Sequence, residues 1–394
     1  MGRRLRSMAA NAALLFISLA VTYVALELAF FRVVLPHLSL NMRPLLPDTA
    51  DVLAQNSKSG TLPHDYIALL GDSYAEGLGD WLLAAGGNRA KPFHSANIIH
   101  RITGRDVASF GRAGAGSAEA MVLRPARILA GRDCYVFPAF EDPRQIAIYF
   151  YEGNDLVDNV NLLSGIGQDG RHPDRAAIDA YLRADYGTVS PWKCHAHLAD
   201  AAYRMGRFLL GSKDLIGKFE ATGNSFVING TATDAPGMLQ GPSLELSEDE
   251  MRAGALVFDR SLHWLRQRFP NTPVTVFYIP SPLAIYRHAG VVSLRAHTGP
   301  EMKFPPGFVE ERSDLSCALI RQSALGNRIG FVDARPALRA AASRRFIHGP
   351  IDWSHLNEAG YRTLGSFVAS RLGDPSAATP CESRTAEAQE PVTN

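Results

Sequence analysis

Ser73, Asp352 and His355 are the residues whose types and spacing first suggest chemistry. A serine hydroxyl is a weak nucleophile until a base takes its proton. Histidine can take that proton, while a carboxylate fixes the imidazole tautomer and stabilises the imidazolium. Asp352 and His355 stand three positions apart, a spacing that one short loop can hold. Attack on an acyl carbonyl also needs donors aimed at the developing oxyanion. Three candidates fit: the backbone N–H of Ser73, the backbone N–H of Gly114, and the side-chain amide of Asn154. Glycine at 114 lets a backbone donor approach substrate with no side chain in the way. His348 lies near His355 as an alternative base.

These residues need elements to position them. Five short apolar runs read as buried strands: 66–70 (YIALL), 107–110 (VASF), 146–151 (IAIYFY), 274–279 (VTVFYI) and 329–332 (IGFV). Helical patterns fall between several of them. Ser247 and Glu250 form an S-x-x-E capping box. Met251, Ala255, Phe258, Leu262 and Leu265 then repeat at the spacing of an amphipathic helix. A last helix should start near Asn357 and bury Tyr361, Leu364, Phe367 and Val368. Alternating strands and helices imply a parallel sheet covered on both faces. In such sheets the site lies beyond the C-terminal strand ends. Gly71-Asp72-Ser73, Gly111-Arg112-Ala113-Gly114 and Glu152-Gly153-Asn154-Asp155 each follow a strand-like run. The stretch from about 156 to 246 is too long for a plain crossover and reads as a partly helical insertion.

Taken together, these blocks resemble those of the SGNH/GDSL hydrolase family. Gly71-Asp72-Ser73-Tyr74 is similar to the G-D-S block, with Tyr74 where Leu is common. Gly111-x-x-Gly114 resembles the glycine block, with Ser109 where Asn is often found. Gly153-Asn154-Asp155 and Asp352-x-x-His355 resemble the G-x-N-D and D-x-x-H blocks. G-D-S alone would be a weak signal and could be a turn with a helix cap. Four blocks in order are specific. The resemblance covers about 66–372, apart from the insertion. It implies a three-layer αβα, flavodoxin-like fold with a central five-stranded parallel sheet. It also implies esterase or acyltransferase chemistry without a cofactor or metal. The departures at Tyr74 and Ser109 bear on packing and loop hydrogen bonds. The other common serine-hydrolase elbow, G-x-S-x-G, is absent because position 75 is Ala.

The N-terminus has a different character. Arg3, Arg4 and Arg6 precede an apolar stretch running from about 9 to 31, with Glu27 near its end. A bilayer core needs about 20 such residues as helix. The stretch is longer than a signal-peptide core of about 7–15 residues, and no clear A-x-A site follows. It reads as an uncleaved transmembrane helix, with the arginines cytoplasmic and the remainder extracytoplasmic. The expected organisation is an anchor over 1–36, a linker over 37–62, the hydrolase-like domain over 63–372, and a disordered tail over 373–394.

Composition excludes several classes. In 394 residues the formal net charge is +1, which gives no electrostatic case for nucleic acid. Four cysteines (134, 194, 317 and 381) exclude a disulfide-dense scaffold but allow two bridges in an oxidising compartment. Cys194-His195-Ala196-His197 matches no standard zinc spacing, so no metal is expected. Asn229-Gly230-Thr231 is a formal glycosylation triplet of a kind that arises by chance. The expected protein is a membrane-anchored serine esterase or O-acyltransferase. Its expected substrate is a small acyl ester on a cell-surface polysaccharide or glycan, and its polysaccharide-modification partners are unknown. A catalytically silent glycan-binding or assembly component of the same fold is the alternative.

Overall fold

The computed structural model describes residues 2–30, 33, 52, 55, 57–60, 62–79, 94–130, 141–167, 173–185, 198–199, 202–203, 206, 223–236, 239–295, 301–374 and 377–384. In chain order the elements are α1 (Gly2–Ala29), β1 (Ile67–Leu70), α2 (Ser73–Glu76), α3 (Ser95–Thr103) and β2 (Val107–Ser109). Next come a π-helical turn (Glu119–Leu123), α4 (Arg124–Ala130), β3 (Gln145–Tyr151), α5 (Asp155–Ile166), α6 (Arg175–Asp185), β4 (Gly223–Ile228) and β5 (Thr231–Pro236). The rest are α7 (Glu248–Arg268), β6 (Val274–Ile279), α8 (Pro282–Ile285), β7 (Val292–Arg295), β8 (Glu301–Phe304), α9 (Pro306–Gly326), β9 (Gly330–Asp333), α10 (Arg335–Ala342) and α11 (Glu358–Arg371).

The five apolar runs form one sheet in the order β2-β1-β3-β6-β9. Every neighbouring pair is parallel. Successive side chains point to opposite faces of a strand, so each face gathers its own core. On one face Leu70, Ile148, Phe150, Val276 and Phe331 pack with Met251, Phe258, Leu262 and Leu265 of α7. On the other, Leu69, Tyr149, Phe277 and Val332 pack with Ile98 of α3 and with Tyr361, Leu364 and Val368 of α11. This is the expected three-layer αβα arrangement. The capping box of α7 is formed: Ser247 Oγ accepts from Glu250 N–H at 3.3 Å, and Glu250 Oε2 accepts from Ser247 N–H at 2.7 Å. The last helix, α11, starts where expected, because the Asn357 side chain caps it by accepting the N–H groups of Ala359 and Gly360. Phe367, expected to be buried, is only partly so.

Both sheet edges are covered by chain flanking the core elements. At β2, Val107 N–H donates to Ser57 O at 2.8 Å. The Gln55 side chain bonds both Ser109 N–H (2.8 Å) and Ser109 O (2.6 Å). Gln55 and Ser57 fall in the stretch expected to be linker, yet both are buried against the sheet. At β9, Phe331 N–H donates to Ala377 O and Thr379 N–H to Phe331 O, each at 2.9 Å. Cys317 on α9 is joined to Cys381. Arg384 donates to Ile285 O and Tyr286 O and pairs with Glu310. Residues 377–384, placed by sequence in a disordered tail, are therefore built into the domain. Residues 385–394, Cys134 and Cys194 to His197 lie outside the described residues.

The 156–246 stretch carries most of α5, then α6 and the β4–β5 hairpin. Its start is part of the core rather than an addition to it: Leu156, Val160 and Leu163 pack under α7. Among the described residues one helix is long and apolar enough to cross a membrane, Arg6–Ala29, with mean hydropathy 2.1. Near its end, Glu27 accepts Leu198 N–H at 3.0 Å, and Phe30 packs against the first core.

Candidate active site

β1 ends at Leu70, and Asp72 caps the single turn of α2 by accepting Tyr74 N–H at 2.8 Å. Ser73 is thereby held just beyond the C-terminal end of a central strand. Its Oγ lies 2.8 Å from His355 Nε2. His355 Nδ1 lies 2.6 Å from Asp352 Oδ2. An ionised Asp352 can only accept, so Nδ1 carries the proton and Nε2 is left to receive one from Ser73. Asp352 Oδ1 accepts the N–H groups of Ser354 (2.9 Å) and His355 (3.2 Å). The loop is braced from outside. Tyr286 Oη accepts Ile347 N–H and His348 N–H, and the Asn357 amide donates to Phe346 O, His348 O and Gly349 O. The structure thus brings Ser73, His355 and Asp352 together in one hydrogen-bonded chain.

Burial opposes the charge on Asp352. The hydrogen bond and charge of His355, with the two backbone donors, outweigh it and hold the carboxyl below its ordinary range. His348 is buried and does not reach Ser73. Its Nδ1 is bonded to Tyr286 Oη at 2.9 Å, and burial pushes the ring down to about 3, so it stays neutral. Of the two histidines, His355 and not His348 contacts the Ser73 hydroxyl.

The expected donors are arranged as follows. Among the described residues, the backbone N–H groups of Ser73 and Gly114 donate to nothing. Gly114 is exposed at φ +70°, a left-handed conformation that favours glycine. The glycine block is tied to the nucleophile turn: Arg112 N–H donates to Gly71 O at 3.2 Å, and Ala113 N–H to Glu76 Oε2 at 2.7 Å. Ser109 Oγ donates to Ala75 O at 2.6 Å and accepts Gly111 N–H at 3.2 Å. It fastens the two loops to each other. The Asn154 amide is engaged: Nδ2 donates to Asp158 Oδ2 at 3.1 Å.

Asp72 and Asp155 stand in the blocks visible in the sequence, whereas Asp158, the carboxylate that bonds the Asn154 amide, does not. Burial pushes Asp72 up, against the Tyr74 N–H and the charge of His355. Burial and the neighbouring Asp72 push Asp155 well up, and the same two causes bring Asp158 up to about 6. Asp158 sits one helical turn after Asn154, the only local sign of its contact. Glu152 is fully buried and accepts from Tyr278, Ser281 and Ser313 side chains and from Ser281 N–H. It anchors the start of the Asn154 turn. Among the described residues, one cluster has the makings of a metal site: Cys317, Asp333 and Cys381. Its two sulfurs are joined to each other, which leaves no thiolate for an ion.

No family model and no curated relative matches the chain. Among solved structures it is similar to a phospholipase A1 from Streptomyces albidoflavus NA297, at 14% identity over 78% of this chain and 97% of that one, with a TM-score of 0.36. It is also similar to an acetyl xylan esterase, Est2A, from the rumen bacterium Butyrivibrio proteoclasticus, at 10% identity over 78% of this chain and 62% of that one, with a TM-score of 0.35. A third similar structure is LAE5, an α/β hydrolase enzyme from the metagenome of Lake Arreo, Spain, at 11% identity over 79% and 96%, with a TM-score of 0.33. The roles of Ser73, His355 and Asp352 rest on their own geometry, not on these likenesses.

Proposed function

We propose that the protein is a membrane-anchored, extracytoplasmic serine esterase or O-acyltransferase of the SGNH type. The observation that carries this reading is the Ser73–His355–Asp352 chain, with bonds of 2.8 and 2.6 Å. Ser73 Oγ attacks the acyl carbonyl carbon as its proton passes to His355 Nε2. The carbonyl oxygen becomes an oxyanion held by the Ser73 and Gly114 N–H groups and by Asn154. His355 returns the proton to the leaving alcohol, and an acyl-Ser73 ester remains. Water or a sugar hydroxyl then attacks that ester, again deprotonated by His355, and Ser73 is restored. Asp352 stays ionised throughout.

Release to water and transfer to a sugar use the same residues and differ only in the acceptor. The block resemblance and the apolar α1 support, by analogy, a small acyl group on a cell-surface glycan. The arginines before α1 support a cytoplasmic N-terminus. The test uses the full-length protein in detergent. It should cleave p-nitrophenyl acetate, react at Ser73 with a fluorophosphonate, and show an acyl adduct on Ser73 by intact mass. Adding candidate sugars to that adduct separates transfer from hydrolysis. If the wild type neither cleaves nor labels, and Ser73→Ala behaves identically, the enzyme reading fails and the silent glycan-binding or assembly component is the reading to test.

A further inference from the structure

We propose that Tyr74 and Tyr151 are positioning residues that staple the His355 loop to the nucleophile, and that Gln240 ties this staple to the chain between β3 and α7. The proposal rests on the Ser73–His355 reading above.

Tyr74 immediately follows the nucleophile, and Ser354 immediately precedes the base. Tyr74 Oη donates to Ser354 O at 2.9 Å. The 73–355 and 74–354 contacts are therefore adjacent bridges between the same two loops. One bridge alone lets the loop pivot about it, while two fix the approach of Nε2 to Oγ. Proximity of this kind governs how readily the proton moves.

Tyr74 is itself held. Its ring stacks on Tyr151, with centroids 4.0 Å apart and planes at 25°. It also lies against the His355 ring, with centroids 5.5 Å apart. Tyr151 Oη is 3.4 Å from the same Ser354 O and donates at 2.6 Å to Gln240 Oε1. Each phenol has a single proton to give, so Tyr74 supplies Ser354 and Tyr151 supplies Gln240. Both phenols are buried, and burial pushes both well above their ordinary range, so both remain donors. Gly153 shows how closely the stack is built. A Cβ there would sit 2.4 Å from Tyr151 Cζ, so the aromatic ring occupies the space that only glycine leaves. Gln240 is anchored in turn, its backbone O accepting Leu283 N–H at 3.2 Å.

The test is Tyr74→Phe in the full-length protein, which keeps the ring and removes the hydroxyl. With p-nitrophenyl acetate, kcat should fall about tenfold with KM unchanged, as expected for one lost hydrogen bond felt at the transition state. The rate of Ser73 phosphonylation should fall by the same factor, with the far-UV spectrum unchanged. The downfield His355 Nδ1–H resonance should broaden or move. Tyr151→Phe should lower kcat in the same direction by a smaller factor. If Tyr74→Phe leaves both kcat and the His355 resonance as in wild type, the staple is wrong. If Tyr151→Phe has no effect, Gln240 has no part in it. A wild type that never labels at Ser73 overturns the proposed function instead, and the His355 resonance still decides the staple.

Discussion

The Asn154 amide lies among carboxylates, and this shapes what it can do for a substrate. Its Nδ2 is already directed at Asp158, so an oxyanion must compete with a carboxylate for it. Asn154→Ala removes the side-chain donor and leaves the two backbone donors. It should lower kcat on p-nitrophenyl acetate by about 10²–10³-fold, measured against Ser73→Ala as the floor. Asp158 gives a separate, pH-dependent prediction. Its carboxyl is raised from 3.8 to about 6 by burial and by Asp72. The native state therefore holds this proton more tightly than the unfolded chain does. That stabilisation is complete below the unfolded value of 3.8 and is lost as pH rises through about 6. Asp158→Asn should match the wild type in denaturant unfolding near pH 4. At pH 8 it should be the more stable protein, by on the order of 1–2 kcal/mol after allowing for solvent screening.

The elements divide into those legible from pattern and those made by distant contacts. The five apolar runs correspond to the five strands, with ends shifted by at most one residue, because buried parallel strands are apolar on both faces. α7 is legible from its capping box and repeat. The edge coverings are not legible, since Gln55, Ser57 and 377–384 lie in stretches without strand periodicity and bond to β2 and β9. Polar sequence there reads as linker and tail, while in the fold it satisfies an open sheet edge. The Cys317–Cys381 bridge closes a separation of 64 residues and holds one such covering. Replacing both cysteines with serine should cost about 2–4 kcal/mol of stability, visible in denaturant unfolding. Activity well below the melting temperature should persist, because neither cysteine touches the Ser73 loop.

At the scale of the whole molecule, the flanking segments are part of the domain. Deleting residues 1–40 keeps Gln55 and Ser57, whereas deleting 1–61 strips the β2 edge of its partners. The shorter protein should melt lower and self-associate on size exclusion, as an uncovered edge strand invites pairing. Residue order alone is enough to nominate the candidate site. Ser73, Gly114, Asn154, Asp352 and His355 stand out because each block sits just after a strand-like run or spans one short loop, and local spacing is visible in sequence. Tertiary structure alone decided that His355 rather than His348 faces Ser73, that Tyr74 reaches Ser354, and that Asp158 claims the Asn154 amide. The first two contacts join loops some 280 residues apart. Their geometry comes from the β2-β1-β3-β6-β9 order and the packing beneath it, which no local pattern encodes. The Asp158 contact is local, but a helix turn has several polar neighbours, and only burial beside Asp72 singled this one out.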